Sequence, residues 1–229
     1  MENKFYITIG RQIGAGGLEV AKKLSKRFNI PVYDRELLNK ASKESGVSRE
    51  FFENADETPY KSGGNMLFGL NLSSVGFGNY SISNPISGSS LFKFQCEAIR
   101  NIAMNGSAIF VGRCADYVLR EQEYCFSAFI CANDKERIER LRSNDRPENI
   151  RSLSDREIIE YMRKEDKKRA SYYNYYSYKQ WGAASSYDMC LNSSLLGTDM
   201  CAQLIEEMVT MTLNRRQYQA SSPLKRTGF

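Results

Sequence analysis

Histidine is missing from all 229 residues. Its absence removes His-based triads, imidazole general bases and every zinc site that needs an imidazole. Carboxylates, Lys, Arg, thiols and backbone amides remain as the available chemistry. The six cysteines, Cys96, Cys114, Cys125, Cys131, Cys190 and Cys201, include no C-x-x-C pair and lie mostly in apolar stretches. They read as buried, reduced thiols, with no metal cluster or redox motif. No apolar run approaches the roughly 18 residues that span a bilayer. The first residues lack the basic, apolar and small-residue order of a secretory signal, so a reducing cytoplasm is the expected compartment. Charge of one sign is also scarce: 32 Lys and Arg against 27 Asp and Glu leave +5, too little to favour nucleic acid over a small anionic substrate.

What is present is a repeated strand-and-helix alternation. KFYITI at residues 4–9 is a short β-rich run ending at Gly10, followed by GRQIGAGG and then Leu18, Ala21, Leu24 and Phe28 at helical spacing. A second strand is expected at Ile30–Tyr33, closed by Asp34 and Arg35 and followed by a helical pattern to about Ser45. Residues 58–91 differ from their surroundings, with Lys61 as their only charge and six glycines and eight serines, and read as a flap or a loop-rich subdomain. A helix over Leu91–Asn105, a strand at Ser107–Val111, another at Cys125–Cys131 and a last one at Tyr187–Ser194 complete five strands. An amphipathic helix over Thr198–Leu213 follows, and the tail 215–229, without apolar periodicity, is expected to be disordered. Five strands alternating with helices predict an α/β fold with a parallel sheet covered on both faces.

Three groups of residues bear chemistry. In the loop of residues 10–17, a strand delivers consecutive amides into a Gly-rich turn at a helix N-terminus, which suits an anion-binding nest formed by Gly14, Ala15, Gly16 and Gly17. The competing reading is a tight strand-to-helix turn that merely needs glycine. Asp34 and Arg35 stand at the C-terminal end of a strand, where open parallel sheets bind ligands; alternatively they are an N-cap and a solvated arginine. Between Asp134 and Arg169 the chain holds 12 basic and 10 acidic residues, including a basic stripe of Arg163, Lys164, Lys167, Lys168 and Arg169, with Arg142 and Arg146 further upstream. Guanidinium forks bind phosphate in bidentate fashion, whereas interleaved Glu160, Glu165 and Asp166 allow an ordinary solvated helix. The tyrosine-dense stretch Tyr172–Tyr178 with Trp181 reads as lid packing in preference to a base-stacking platform, so nucleic acid is the least favoured partner.

Taken in order, ITIGRQIGAGGLEVAKKL, PVYDRELL, IFVGRCADYVL, EDKKRASYYNYYSYKQWG and YDMCLNSSLLG resemble the cytidylate-kinase-like family of P-loop proteins, over most of residues 4–212 and least over 58–91. The resemblance implies a three-layer nucleoside-monophosphate-kinase fold with a five-stranded parallel core in one domain, 1–214, an acceptor-binding flap at about 46–92 and a lid at about 142–182. It implies ATP with Mg2+ held mainly through the nucleotide, and no protein-held metal. By the same resemblance Arg11, Gln12, Gly14, Ala15, Gly16 and Gly17 would bind the ATP phosphates. Asp34, Arg35, Arg113 and Asp116 would hold the acceptor, while Asp34, Arg163, Lys167 and Arg169 would act in transfer, with Arg142, Arg146 and Lys168 in the lid.

This sequence departs from the family's loop. Aligned with GAGKGTVA, GAGGLEVA puts Gly17 where the phosphate-gripping lysine stands and Glu19 where the magnesium-binding hydroxyl stands. Arg11, inside the loop, is the nearest candidate for the missing cation. The Gly-Arg-Asp of cytidylate kinases reads Gly112-Arg113-Cys114 here, with Asp116 two positions later. The expected activity is transfer of a γ-phosphoryl group to a small phosphorylated acceptor such as CMP, by a soluble monomer or homodimer that touches no membrane. The alternative is a nucleotide-binding sensor or interaction module without turnover.

Overall fold

Alternate side chains of the first strand, β1 (Tyr6–Arg11), enter two different cores. Ile7 and Ile9 pack with α1 (Gly17–Phe28) on one face of the sheet, and Tyr6 packs on the other. In this computed structural model residues 4–35, 37, 38, 86–143 and 147–221 are described. β1 lies between β3 (Ala108–Val111) and β4 (Cys125–Cys131), with β2 (Val32–Tyr33) and β5 (Met189–Asn192) at the edges, so the order is β2-β3-β1-β4-β5. All four pairings are parallel, with Ile9 opposite Val111 on one side and Ala128 on the other. A parallel sheet needs cover on both faces, which is why β3 is a continuous apolar run and Tyr6–Ile9 of β1 are all buried.

Two helices cover the face that holds Ile7 and Ile9. In α1, Val20, Ala21 and Leu24 are buried and meet Cys201, Ala202, Ile205 and Val209 of the C-terminal helix, α7 (Ser193–Ser221). Each Val, Leu or Ile side chain among them contributes roughly 1.5–3 kcal/mol on removal from water, before entropy is counted. Opposite, α2 (Ile86–Asn105) and the short α3 (Ala115–Val118) bring Ile99, Ala103, Val118 and the following Leu119 onto Phe110 and Tyr6. The expected architecture of five parallel strands between helical layers is the one observed.

Between β4 and β5 the chain makes α4 (Asp134–Leu141), α5 (Glu148–Arg151) and α6 (Asp155–Ser177). A reciprocal capping box between Ser154 and Glu157 starts α6. Leu141, Ile158 and Met162 form a small separate core, against which Ile13 of the glycine loop also packs. Further along α6, Tyr173 and Tyr176 are buried with Cys114, and the Tyr176 ring stacks on Phe92 at 3.9 Å between centroids. The tyrosine run is therefore largely packing, as expected, although Tyr175 and Tyr178 stay exposed.

Several boundaries differ from the sequence reading. α7 kinks at Gly197, with φ of 70°, and then continues through Ser221 instead of stopping near Leu213. The expected disordered tail is thus helical over 215–221, because no glycine or proline interrupts the chain before Pro223. Cys190 is exposed, while Cys96, Cys114 and Cys201 are buried, and all six thiols are free. The flap at about 46–92 falls outside the described residues except for its last part, which is the start of α2. Among the described residues no helix is long and apolar enough to cross a membrane.

Candidate functional site

Beyond the C-terminal ends of β1 and β3 lies a cavity of about 590 Å3, walled on its far side by α5 and α6. Its size is that of a small-molecule site, and it sits at the edge where parallel sheets bind ligands. Its basic lining comes from Arg11, Arg35, Arg113, Lys168 and Arg169. Tyr161, Tyr172, Tyr173 and Tyr187 supply aromatic walls.

Local backbone geometry sets the first of these cations. Gly112, Arg113 and Cys114 run consecutively at φ of 80°, 58° and 54°. Left-handed conformations cost non-glycine residues about 1 kcal/mol or more each, so the turn after β3 stores strain. It projects Arg113 over the Tyr172 ring, 5.5 Å from guanidinium carbon to centroid. Gly112 meets a second demand as well: a Cβ there would collide with the Arg11 guanidinium.

Arg11 is the last residue of β1 and lies across the loop. Burial first, then the like charges of Arg169 and Arg113, push its guanidinium down to about 9. Burial is also the leading cause that lowers Arg113 and Arg169. Among the described residues, none of Arg11, Arg35, Arg113 and Arg169 forms an ion pair with a carboxylate. The two carboxylates that line the cavity are already engaged: Glu165 pairs with Lys168, and Asp116 accepts from Tyr173 Oη at 2.7 Å and lies 3.5 Å from Lys179. Like charges gathered in a poorly solvated cavity favour an anion, although Asp34 near Arg11 and Asp166 and Glu165 near Arg169 offset part of that charge.

The glycine loop is held by its carbonyls. Arg169 donates to Arg11 O at 3.2 Å, Arg137 Nε to Ile13 O at 2.8 Å, Arg140 to Gly14 O at 3.2 Å and Ser193 Oγ to Ala15 O at 2.8 Å. The amides of Gly14, Gly16, Gly17 and Leu18 have no protein acceptor among the described residues. Gly14 and Gly16 take positive φ of 73° and 79°, which bends the loop into a nest. Ile13 N–H donates instead to Asp166 Oδ1 of α6 at 2.8 Å, and Asp166 also pairs with the buried Arg137. Burial raises the Asp166 carboxyl despite these partners.

The structure sorts the residues singled out in the sequence. Arg11, Arg35, Arg113, Asp116, Lys168 and Arg169 line one cavity. Gln12 does not: its side-chain oxygen accepts from Ala132 N–H at 3.1 Å and ties the loop to β4. Gly14, Ala15 and Gly17 are buried, and Gly16 abuts Thr198 and Arg140, so the nest is separate from the cavity lining. Asp34 caps the turn that follows β2, accepting from Leu37 N–H at 3.1 Å. Arg163 and Lys167 face solvent, because at about 100° per residue they lie opposite Glu165, Lys168, Arg169 and Tyr172. Arg142 bonds Leu153 O and Asp155 outside the cavity, and Arg146 lies outside the described residues. Glu19 points toward α7, accepting from Thr198 Oγ1 at 2.6 Å and pairing with Lys23.

Sequence reading missed Asp166, Arg137 and Arg140 as the groups that hold the loop. Their partners are more than 100 residues away for Arg137 and Arg140, and nothing local marks them. The cavity face of α6 did carry a signal, since Glu165, Lys168, Arg169 and Tyr172 repeat at i, i+3, i+4 and i+7. The loop nest and the cavity guanidiniums each have the chemistry of an anion site. Among the described residues no group of three or more His, Cys, Asp or Glu is placed to hold a metal ion.

A family model described as the cytidylate kinase-like family matches residues 6–195. Among solved structures, an uncharacterized protein from Eubacterium ventriosum is 24% identical, with 90% of this chain and 99% of that chain covered and a TM-score of 0.66. Shikimate kinase from Bacteroides thetaiotaomicron is 14% identical, with 91% and 99% covered and a TM-score of 0.52. At these identities the likeness concerns the fold. No curated protein matches the chain.

Proposed function

The chain belongs to the cytidylate kinase-like family, and from that premise we propose that it is an ATP-dependent phosphotransferase acting on a small phosphorylated acceptor, with CMP the first candidate. Its P-loop kinase-like architecture is consistent with phosphotransfer chemistry. The observation that carries the proposal is the set of buried or cavity-facing guanidiniums, Arg11, Arg35, Arg113 and Arg169, gathered without carboxylate partners among the described residues.

Phosphoryl transfer asks a protein mainly for positioning and for cations around oxygens whose charge shifts. ATP, when bound with Mg2+, supplies the γ-phosphoryl group. The free amides of Gly14, Gly16, Gly17 and Leu18 would hold its phosphates, with Arg11 and Arg169 nearest the transferring group. Arg35 and Arg113 would hold the acceptor phosphate, and Tyr172, already under Arg113, would flank the acceptor. Asp34, beside Arg11, would keep that guanidinium oriented and charged. The α6 wall would exclude water, which otherwise competes with the acceptor.

A coupled assay with ATP and CMP, dCMP, UMP or AMP tests the reading. Acceptor-dependent nucleotide turnover is the expected result, and equal turnover with and without every acceptor contradicts it. The second reading, a nucleotide-binding module without turnover, draws support from the missing loop lysine and from Asp166, which occupies the Ile13 amide. Calorimetric ATP binding without transfer to any acceptor would favour it.

A further inference from the structure

Position 17 is where the sequence comparison with P-loop kinases expects a lysine, and the structure gives a steric reason for glycine there. A Cβ built on Gly17 would lie 2.6 Å from Arg11 Cβ and 2.9 Å from Arg11 Cγ, closer than side-chain carbons approach one another. The φ of Gly17 is not in the left-handed region, so space alone is the obstacle. Further along the same side chain, the Arg11 guanidinium lies where a Cβ of Gly112 would be. Arg11 thus runs between the first turn of α1 and the strained turn after β3, and its guanidinium reaches the cavity wall. Its backbone is fixed from the other side by Arg169, which donates to Arg11 O.

We propose that Arg11 has taken the place of the loop lysine, in charge and in space, with Gly17 and Gly112 as the residues whose missing side chains give it passage. A lysine at 17 and an arginine at 11 then exclude each other, and the cation that grips polyphosphate reaches it from the end of β1 instead of from the start of α1. This assignment deepens the phosphotransferase reading and rests on it for the identity of the natural ligand, but its geometry concerns any polyphosphate. It also explains how the loop can lack a lysine while keeping a close cation.

Because the atom nearest to Gly17 is Arg11's own Cβ, the informative exchange partner is glycine and not alanine. Calorimetric binding of inorganic tripolyphosphate and of ATP with Mg2+ should be compared in the wild type, Arg11→Gly, Gly17→Lys, Gly17→Ala and Arg11→Gly/Gly17→Lys, with melting temperature as the check on folding. Arg11→Gly should weaken both ligands roughly 10- to 100-fold, as expected for loss of a charge-assisted contact. Gly17→Lys should bind no better than Arg11→Gly or should fail to fold. The double variant should fold and recover most of the lost affinity, a coupling that two independent sites would not show. Gly17→Ala should weaken binding in the wild type by displacing Arg11, yet add no further loss to Arg11→Gly.

Wild-type affinity in Arg11→Gly, undiminished or improved affinity in Gly17→Lys, or a wild type that binds neither ligand overturns the proposal. The phosphotransferase reading can fail separately, if both ligands bind in this pattern and no acceptor is phosphorylated.

Discussion

Arg137 and Arg140 on α4 differ from Arg11, Arg113 and Arg169 around the cavity in how their charge is met. Arg137 is buried, and its guanidinium bonds Asp166, Asp134 and Ile13 O; Arg140 bonds Gly14 O and Ser193. For the cavity guanidiniums burial is the leading cause that disfavours the charged form. At Arg11 the like charges of Arg169 and Arg113 add to it, while Asp34 near Arg11 and Asp166 and Glu165 near Arg169 work against it without forming ion pairs to these two arginines. Similar side chains at one sheet edge therefore do opposite work. The partnered pair holds the loop in shape, whereas the cavity group lacks an anion that a ligand would bring.

Breaking the partnered side should have the largest effect. Arg137→Leu leaves Asp166 buried without its main counter-charge and should cost on the order of 3–5 kcal/mol in urea unfolding. A loss below about 1 kcal/mol would place Arg137 with the cavity group instead. Arg169→Met should show the reverse pattern: affinity for tripolyphosphate down about tenfold, with unfolding free energy changed by less than about 1 kcal/mol, since removal of a repulsive neighbour of Arg11 offsets loss of the hydrogen bond to Arg11 O and of the charge near Asp166. Equal damage to affinity and stability would erase the contrast.

Titration sharpens it further. Burial, the leading cause, raises the folded-state Asp166 carboxyl above the ordinary carboxylate value. Its contribution to stability is therefore present in acid and is lost as pH rises through the folded value. Relative to Asp166→Asn, the wild type should gain stability as pH falls from 7 toward 4, and a slope of the opposite sign contradicts the assignment. The smallest effects belong to the solvent face of α6. Arg163→Ala and Lys167→Ala should each shift stability by less than about 0.5 kcal/mol and tripolyphosphate affinity by less than about twofold. A larger loss of affinity would bring these two residues back into the site.

The fold was legible because its signals are local. The β-rich run through Tyr6–Ile9, the glycines after β1 and the helical spacing in α1 are each contained within a few residues. Residues at strand ends, Arg11, Arg35 and Arg113, were legible for the same reason, since a parallel sheet brings its C-terminal ends to one edge. On α6 the sequence reading took Arg163, Lys167 and Arg169 for transfer and Lys168 for the lid as one basic stripe, because charge alone does not fix which face of a helix meets a cavity. Apolar Ile158 and Met162 settle the helix's rotation by packing on Leu141.

From its own composition and spacing the chain specified the alternation of strands and helices, the loop at residues 10–17 and the chemistry left open without histidine. Only tertiary packing decided which arginines hold the loop and which line the cavity, because pairs such as Arg137 with Asp166, or Arg11 with Gly112, join separate segments of the chain. Hydrophobic periodicity is written within a single turn or strand. Charge balance depends on which side chains three separate elements bring within a few ångströms, and that is set by how the layers close.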